Sequence, residues 1–221
     1  MPSLKKSQRI LRSQKLIGNF LSKPLQIGDI VQNDEGQHLI IGNIVNLIPG
    51  FSLQGKIVTS PKFQFKVASE SNISVEIGGT ATAPIAQGEI QLKFNSKNSA
   101  FVVLKNAVRS SVALGLVENE LKSYWKSKGY DQPGNRNKFH FINDIIESES
   151  GTMIFSEEKS NTVVIKGKNN TPLTSVSVVG EGKVEYVTNT KATLEIISES
   201  PIMPLYGAVR IKANGKFDIV G

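Results

Sequence analysis

Lys62-Phe63-Gln64-Phe65-Lys66-Val67, followed after a short polar break by Asn72-Ile73-Ser74-Val75-Glu76-Ile77, carries the cleanest periodicity in the chain. Phe63, Phe65 and Val67 alternate with Lys62, Gln64 and Lys66, and Ile73, Val75 and Ile77 alternate with Asn72, Ser74 and Glu76. Successive strand residues point to opposite faces, so this period of two specifies strands with one apolar and one polar face. Ser69-Glu70-Ser71 reads as the turn between them, giving an amphipathic hairpin that Gly78-Gly79 ends. A third strand follows, with Ile90, Leu92 and Phe94 against Glu89, Gln91 and Lys93. Beyond a turn at 95–98, the unbroken apolar run 100–104 reads as a central strand buried on both faces.

Toward the C-terminus the spacing changes and then returns. Over 106–129 Val108, Val112, Leu116, Val117, Leu121, Tyr124 and Trp125 recur mostly at three and four, which predicts one long helix. Gly129 is its expected C-cap, after Lys126 and Lys128 at the negative end of the helix dipole. Past a polar loop containing Pro133-Gly134, residues 139–146 are ambiguous between helix and strand. Strands are then expected at 152–155, 162–166, 175–179, 183–188, 192–197 and 205–211. Val184 and Tyr186 alternate with Lys183 and Glu185, and Ala192, Leu194 and Ile196 with Lys191, Thr193 and Glu195. With Asn189 at the turn, these form a second amphipathic hairpin. Toward the N-terminus, Asn33-Asp34-Glu35-Gly36 between 28–31 and 37–41 marks a short hairpin, and Pro49-Gly50 a turn. Residues 4–21 wind into a basic amphipathic helix, with Leu4, Ile10, Leu11, Ile17, Phe20 and Leu21 over one side and Lys5, Arg9, Arg12 and Lys15 over the other. The fold class is therefore α+β, an antiparallel sheet with peripheral helices, in a single domain over 1–221.

The totals narrow the function. The net charge of +7 is concentrated in residues 1–23, where Lys5, Lys6, Arg9, Arg12, Lys15 and Lys23 precede the first acid, Asp29. With no cysteine there are no disulfides, no thiolate nucleophile and no thiolate metal site. No apolar run reaches the roughly 18 residues of a membrane helix, so entry into a bilayer would have to use strands. No export signal is read at the start, which places the chain in the cytoplasm. His38 and His140 are the only histidines and lie in expected strands, where a structural role outweighs catalysis. The stretch 50–55 misses the nucleophile-elbow spacing by one residue, and there is no phosphate loop or dinucleotide fingerprint. Glu147, Glu149, Glu157 and Glu158 read as solvated. The expectation is a protein without enzymatic activity, cofactor or metal.

Three stretches carry a resemblance. Leu25-Gln26-Ile27-Gly28-Asp29-Ile30 with Ile41-Gly42-Asn43-Ile44, then Phe51-Ser52-Leu53-Gln54-Gly55-Lys56, then the closing Pro201-Ile202-Met203-Pro204-Leu205-Tyr206-Gly207-Ala208-Val209-Arg210-Ile211 look like the corresponding stretches of the bacterial gasdermins, a family of pore-forming proteins. The resemblance implies a twisted antiparallel sheet with peripheral helices, as in the gasdermin N-terminal domain. It implies a monomer that is cytoplasmic when inactive. On activation it would oligomerise and insert hairpins, here about 57–95 and 160–198, into the inner membrane. Cell death in antiviral, anti-phage defence would follow, with an activating protease or an inhibitory partner chain as the control. Membrane lipids would be met by Lys5, Lys6, Arg9, Arg12 and Lys15, and along the strands by Phe63, Phe65, Val67, Ile73, Val75, Ile77, Val184, Tyr186, Ala192, Leu194 and Ile196. Two features depart from the family pattern. The N-terminal cysteine that the family acylates is missing, and only a short tail, 212–221, follows the last matching strand.

Two other readings remain open. The basic N-terminus suits a nucleic-acid-binding module, although aromatic residues, at 7%, are too few and too scattered for a stacking platform. A structural, β-rich assembly protein also fits the strand content.

Overall fold

The computed structural model describes residues 16–18, 25–34, 37–68, 73–77, 89–96, 99–135, 137–156, 159–167, 184–189, 193–198 and 201–220. Antiparallel strands dominate, with few helices. The described residues cluster into two compact units, one of 62–107 and 148–202, the other of 16–61, 108–147 and 203–220.

In the first unit the strands are β5 (Phe63–Ala68), β6 (Ile73–Ile77), β7 (Glu89–Phe94), the first part of β8 (Ser99–Val112), β10 (Ser150–Ser156), β11 (Asn161–Gly167), β12 (Val184–Asn189) and β13 (Thr193–Ser198). They make two antiparallel ladders, in the orders β5-β8-β10-β13 and β6-β7-β11-β12. This corrects both expected hairpins. β5 pairs with β8, and β6 with β7, so the two expected arms are not partners; the expected turn at 69–71 lies outside the described residues. Likewise β12 pairs with β11 and β13 with β10, so these arms are not partners either. The reversals lie between Ile77 and Glu89 and between Gly167 and Val184. The physical reason is visible in the parity of the apolar positions. Phe63, Phe65 and Val67 are in phase with Ile73, Val75 and Ile77 across the polar break, as are Ile90, Leu92 and Phe94 with Ala100, Val102 and Leu104. A strand that keeps its phase through an interruption can keep one face on one core, whereas a register slip would turn every side chain over.

Ala100, Phe101, Val102, Val103 and Leu104 are fully buried, as are Met153 and Ile154, so both faces of β8 and β10 are covered here. The expected central strand is present. Packing is tight where Gly151 faces Leu104 across the ladder. A Cβ on Gly151 would lie 2.6 Å from Leu104 Cδ2 and 3.1 Å from the Val103 carbonyl oxygen. Gly151→Ala is therefore expected to lower stability by about 1–3 kcal/mol through overpacking. Gly134→Ala, in open space, should stay within about 0.5 kcal/mol of the parent. Urea denaturation of both variants checks this, and equal midpoints would count against the packing described.

The second unit is built around β9 (Phe139–Ser148), which resolves the ambiguous stretch as strand. One edge of β9 pairs with β2 (Asp29–Asp34) and then with the end of β8; the other meets β14 (Ile202–Ile211). β3 (Gln37–Asn43) pairs with β2 as expected, β4 (Ile57–Thr59) with β8, and both β1 (Ile17–Gly18) and β15 (Phe217–Val220) with β14. β15 makes the stretch expected to be a tail part of the sheet. Ile17–Gly18, within the helix expected over 4–21, is strand; residues 1–15 and 19–24 lie outside the described residues. The turn into β2 is held by Asn43. Its amide donates to Asp29 Oδ1 (3.0 Å) and the Ile27 carbonyl (2.9 Å), and its oxygen accepts the Val45 N–H (3.2 Å), capping the short α1 (Ile44–Leu47). Gly28 has φ +90°, and a Cβ there would press on Leu53 and Asn43.

The long helix expected over 106–129 is also corrected. β8 runs to Val112, a 3-10 turn spans Leu114–Leu116, and α2 covers only Glu118–Ser127. Val108 and Val112 are four residues apart, a spacing that satisfies the periods of helix and strand alike. The β-branched Val108 and Val112 favour the strand, and partners are available in β4 and β9. Within α2, Leu121, Tyr124 and Trp125 are buried at the i, i+3, i+4 spacing. Gly129 ends it at φ +66°, donating to Lys126 O while Tyr130 N–H donates to Trp125 O, so the expected C-cap is a Schellman turn. These residues pack with Ile30, Ile44, Val112, Phe141 and Val209 on one face of the sheet, and Val31, Ile142, Ile145, Tyr206 and Ala208 form a core with Ile17 and Leu25 on the other.

Candidate membrane-insertion surface

The ladder β6-β7-β11-β12 has the most divided faces. Leu92, Phe94, Val163 and Ile165 are fully buried. Between them in sequence, Lys93 is exposed, and Gln91, Thr162 and Val164 are half-buried. Cross-strand neighbours share a face, and the register groups the apolar positions into rows. Ile77 lies opposite Ile90, Ile90 opposite Ile165, and Ile165 opposite Tyr186. Val75 lies opposite Leu92, and Leu92 opposite Val163. A second set of rows runs through the other ladder, where Val67 faces Val102, Val102 faces Met153, and Met153 faces Ile196. Phe155 faces Ala100 and Leu194.

The residues nominated from sequence thus fall as follows. Phe63 and Phe65 are half-buried on β5, with their rings edge-on at 6.3 Å between centroids. Val67, Val75, Ile77, Tyr186, Leu194 and Ile196 occupy positions in the rows, Ile73 lies opposite Phe94, whose other neighbour is Asn161, and Val184 lies opposite Gly167. Ala192, Lys5, Lys6, Arg9, Arg12 and Lys15 lie outside the described residues. The register brings residues more than a hundred positions apart, such as Ile77 and Tyr186, into one row. Residues not nominated from sequence, Leu92, Val102, Met153, Val163 and Ile165, provide the middle of these rows. That they lie in strands was readable; their pairing was not.

One ladder ends at Ala68, Ser99, Ser156 and Thr193 and the other at Ile73, Phe94, Asn161 and Asn189, and the sequence between these ends, 69–72, 95–98, 157–160 and 190–192, is rich in Ser, Asn, Glu and Lys. There Ser160, at φ +63°, donates its N–H to Phe94 O (2.7 Å), and Ser99 Oγ donates to Ser96 O (2.9 Å), so these backbone groups stay bonded where the ladder is interrupted. At the other end of the first unit, hydrogen bonds from Asn106 and Lys62 hold the Glu149 carboxyl below the usual carboxylate range. Glu149 is exposed, as expected, and is also tied to Lys62 and Asn106.

In the second unit the buried Asp144 meets the half-buried Arg109. Arg109 Nε donates to Asp144 Oδ1 (3.0 Å) and Oδ2 (2.9 Å), and Ser111 Oγ to Oδ1 (3.0 Å). The hydrogen bond to Asp144 raises the Arg109 pKa further against the opposing effect of burial. The arrangement ties β8 to β9. His140 is buried on β9. Among the described residues no group of three or more His, Asp or Glu side chains could hold a metal ion, and no helix is long and apolar enough to cross a membrane. No family model matches the chain, and no curated protein matches it significantly.

Proposed function

We propose that the chain is a gasdermin-like pore-forming protein that oligomerises and inserts strands into a membrane. The observation that carries this reading is the β6-β7-β11-β12 ladder. One apolar row, Ile77-Ile90-Ile165-Tyr186, runs across all four strands and joins both halves of the sequence, and a shorter one, Val75-Leu92-Val163, ends opposite Asn189; the other face bears Lys93, Gln91 and Thr162. A β-barrel wall needs this division between lipid and lumen. It also needs backbone groups bonded strand to strand, because hydrocarbon offers no partners.

The inserting segments are narrower than the sequence indicated, about 73–94 and 161–189. The β5-β8-β10-β13 ladder is apolar on both faces at Phe101, Val103 and Ile154 as well as at Val102 and Met153, which suits a protein core better than a wet lumen. The strands β6, β7, β11 and β12 have five, six, seven and six residues. A crossing needs about 9–11, so insertion requires these strands to lengthen. Four strands cannot close a barrel, so β6 and β12 must pair with further copies. The basic residues 1–23 favour anionic lipid, and a protease or partner chain controls the change.

The test is release of a trapped dye from vesicles of phosphatidylglycerol and phosphatidylethanolamine, with and without limited proteolysis, alongside imaging of the membranes. Release with ring-shaped assemblies is expected. An intact membrane under every condition, including low salt and after proteolysis, would sink the reading.

A further inference from the structure

The turn from β14 to β15 combines cationic side chains with unused backbone donors. It closes with Lys212 N–H donating to Lys216 O (2.9 Å) and Gly215 N–H to Lys212 O (2.8 Å), and Lys216 N–H donates to Asn214 Oδ1 (3.1 Å). Among the described residues, the backbone N–H groups of Ala213 and Asn214 are bonded to no acceptor. Both residues line a cavity of about 400 Å³ with Asn137, Arg210 and Lys212.

The charge in this cavity is unbalanced. Arg210 Nε donates to Asp218 Oδ2 (2.7 Å), its Nη2 lies 2.6 Å from the same oxygen, and its Nη1 donates to Asn137 Oδ1 (2.6 Å). Lys212 Nζ lies 2.9 Å from Asp218 Oδ1. Asp218 thus offsets one of the two cations, and Lys216 adds another exposed one. Burial tends to raise the Asp218 pKa, but the hydrogen bonds from Lys212 and Arg210 outweigh it and hold the group low. An ammonium has three N–H donors and a guanidinium five, so both side chains keep donors to spare.

We propose that this turn binds the phosphate group of a phosphomonoester. Adjacent turn N–H groups form a concavity suited to a tetrahedral oxyanion, and charge-assisted bonds from Arg and Lys are the strong ones for phosphate. The cavity exceeds a bare phosphate, leaving room for the group that carries it. A lipid headgroup or a soluble ligand offers the same chemistry.

The full chain is titrated with inorganic phosphate while the amide resonances of Ala213 and Asn214 are followed, and in parallel with phosphatidylcholine vesicles with and without phosphatidic acid. Lys212→Gln should weaken binding about tenfold. Lys126→Gln, an exposed cation in the last turn of α2, should leave it unchanged. Amide shifts with free phosphate, lost in Lys212→Gln, support the site and favour a soluble ligand. Binding only to phosphatidic acid vesicles with the same dependence supports it and favours a lipid. Binding to neither probe, or equal weakening by both substitutions, overturns it. The outcome is independent of vesicle leakage.

Discussion

Val75→Asp is expected to abolish dye release, whereas Lys93→Glu should leave it intact and shift the pore toward cations. Val75 lies opposite Leu92 in the apolar row, and Lys93 belongs to the other, exposed face. A charge on the lipid side of a barrel strand costs about 2–4 kcal/mol near the bilayer centre, and every copy in a ring incurs it. A charge on the lumen side is hydrated and only alters selectivity. Because Leu92 is fully buried, Val75→Asp also tests the soluble fold, so its melting temperature must be measured beside its leakage. A gentler readout uses the absence of cysteine, which allows a single reporter at each position. A polarity-sensitive dye on Val75→Cys should shift to the blue on vesicles, and one on Lys93→Cys should not. Folded Val75→Asp that still leaks, or dyes that respond alike, would exclude this strand from the membrane wall.

Trp125→Ala should be among the most damaging substitutions in the second unit, with a loss of about 3–5 kcal/mol. Trp125 is fully buried and is the largest of the fully buried side chains. It lies among Val117, Leu121 and Phe141, and Tyr130 meets its ring edge-on at 5.4 Å while stacking on Phe139 at 3.7 Å. A loss of that size is a large part of the roughly 5–15 kcal/mol that holds a domain together. Trp125→Phe should cost much less than the lost volume implies. The indole Nε1 has no hydrogen-bond partner, and removing a buried unsatisfied N–H returns part of the deficit. Chemical denaturation followed by circular dichroism checks both. A Trp125→Ala midpoint equal to that of the parent would mean that α2 does not close this core.

Local chemistry explains which parts could be read in advance. The β2–β3 hairpin, the buried run 100–104 and the Gly129 cap each depend on residues close together in sequence: a turn-forming Asn-Asp-Glu-Gly, an unbroken apolar stretch, and a glycine with positive φ. The misplaced reversals have a different origin. A polar triplet such as Ser69-Glu70-Ser71 suits either a turn or a break in a long strand, and only the pairing of β5 with β8 distinguishes them. The preserved phase of the apolar positions was the available clue. The helix that became strand at 106–112 failed for a related reason, since a four-residue spacing fits both periods. The nominated lipid-contact residues were legible as alternating positions on single strands. Which of them share a row was not, because the partners lie far along the chain.

The Phe63–Ile77 stretch therefore divides the two sources of information. By itself the sequence determined that this region is strand, that one of its faces is apolar, and that the chain carries no cysteine and one concentrated basic end. Those are properties of single residues and of their spacing. The tertiary structure alone decided that β5 and β6 pair with different strands, and that Ile77 and Tyr186 belong to one row. It alone brought Arg210, Lys212 and the turn at 213–214 around one cavity. The alternation that marks a strand leaves its neighbours unspecified. They are chosen when distant segments must satisfy their backbone hydrogen bonds and cover the same apolar face.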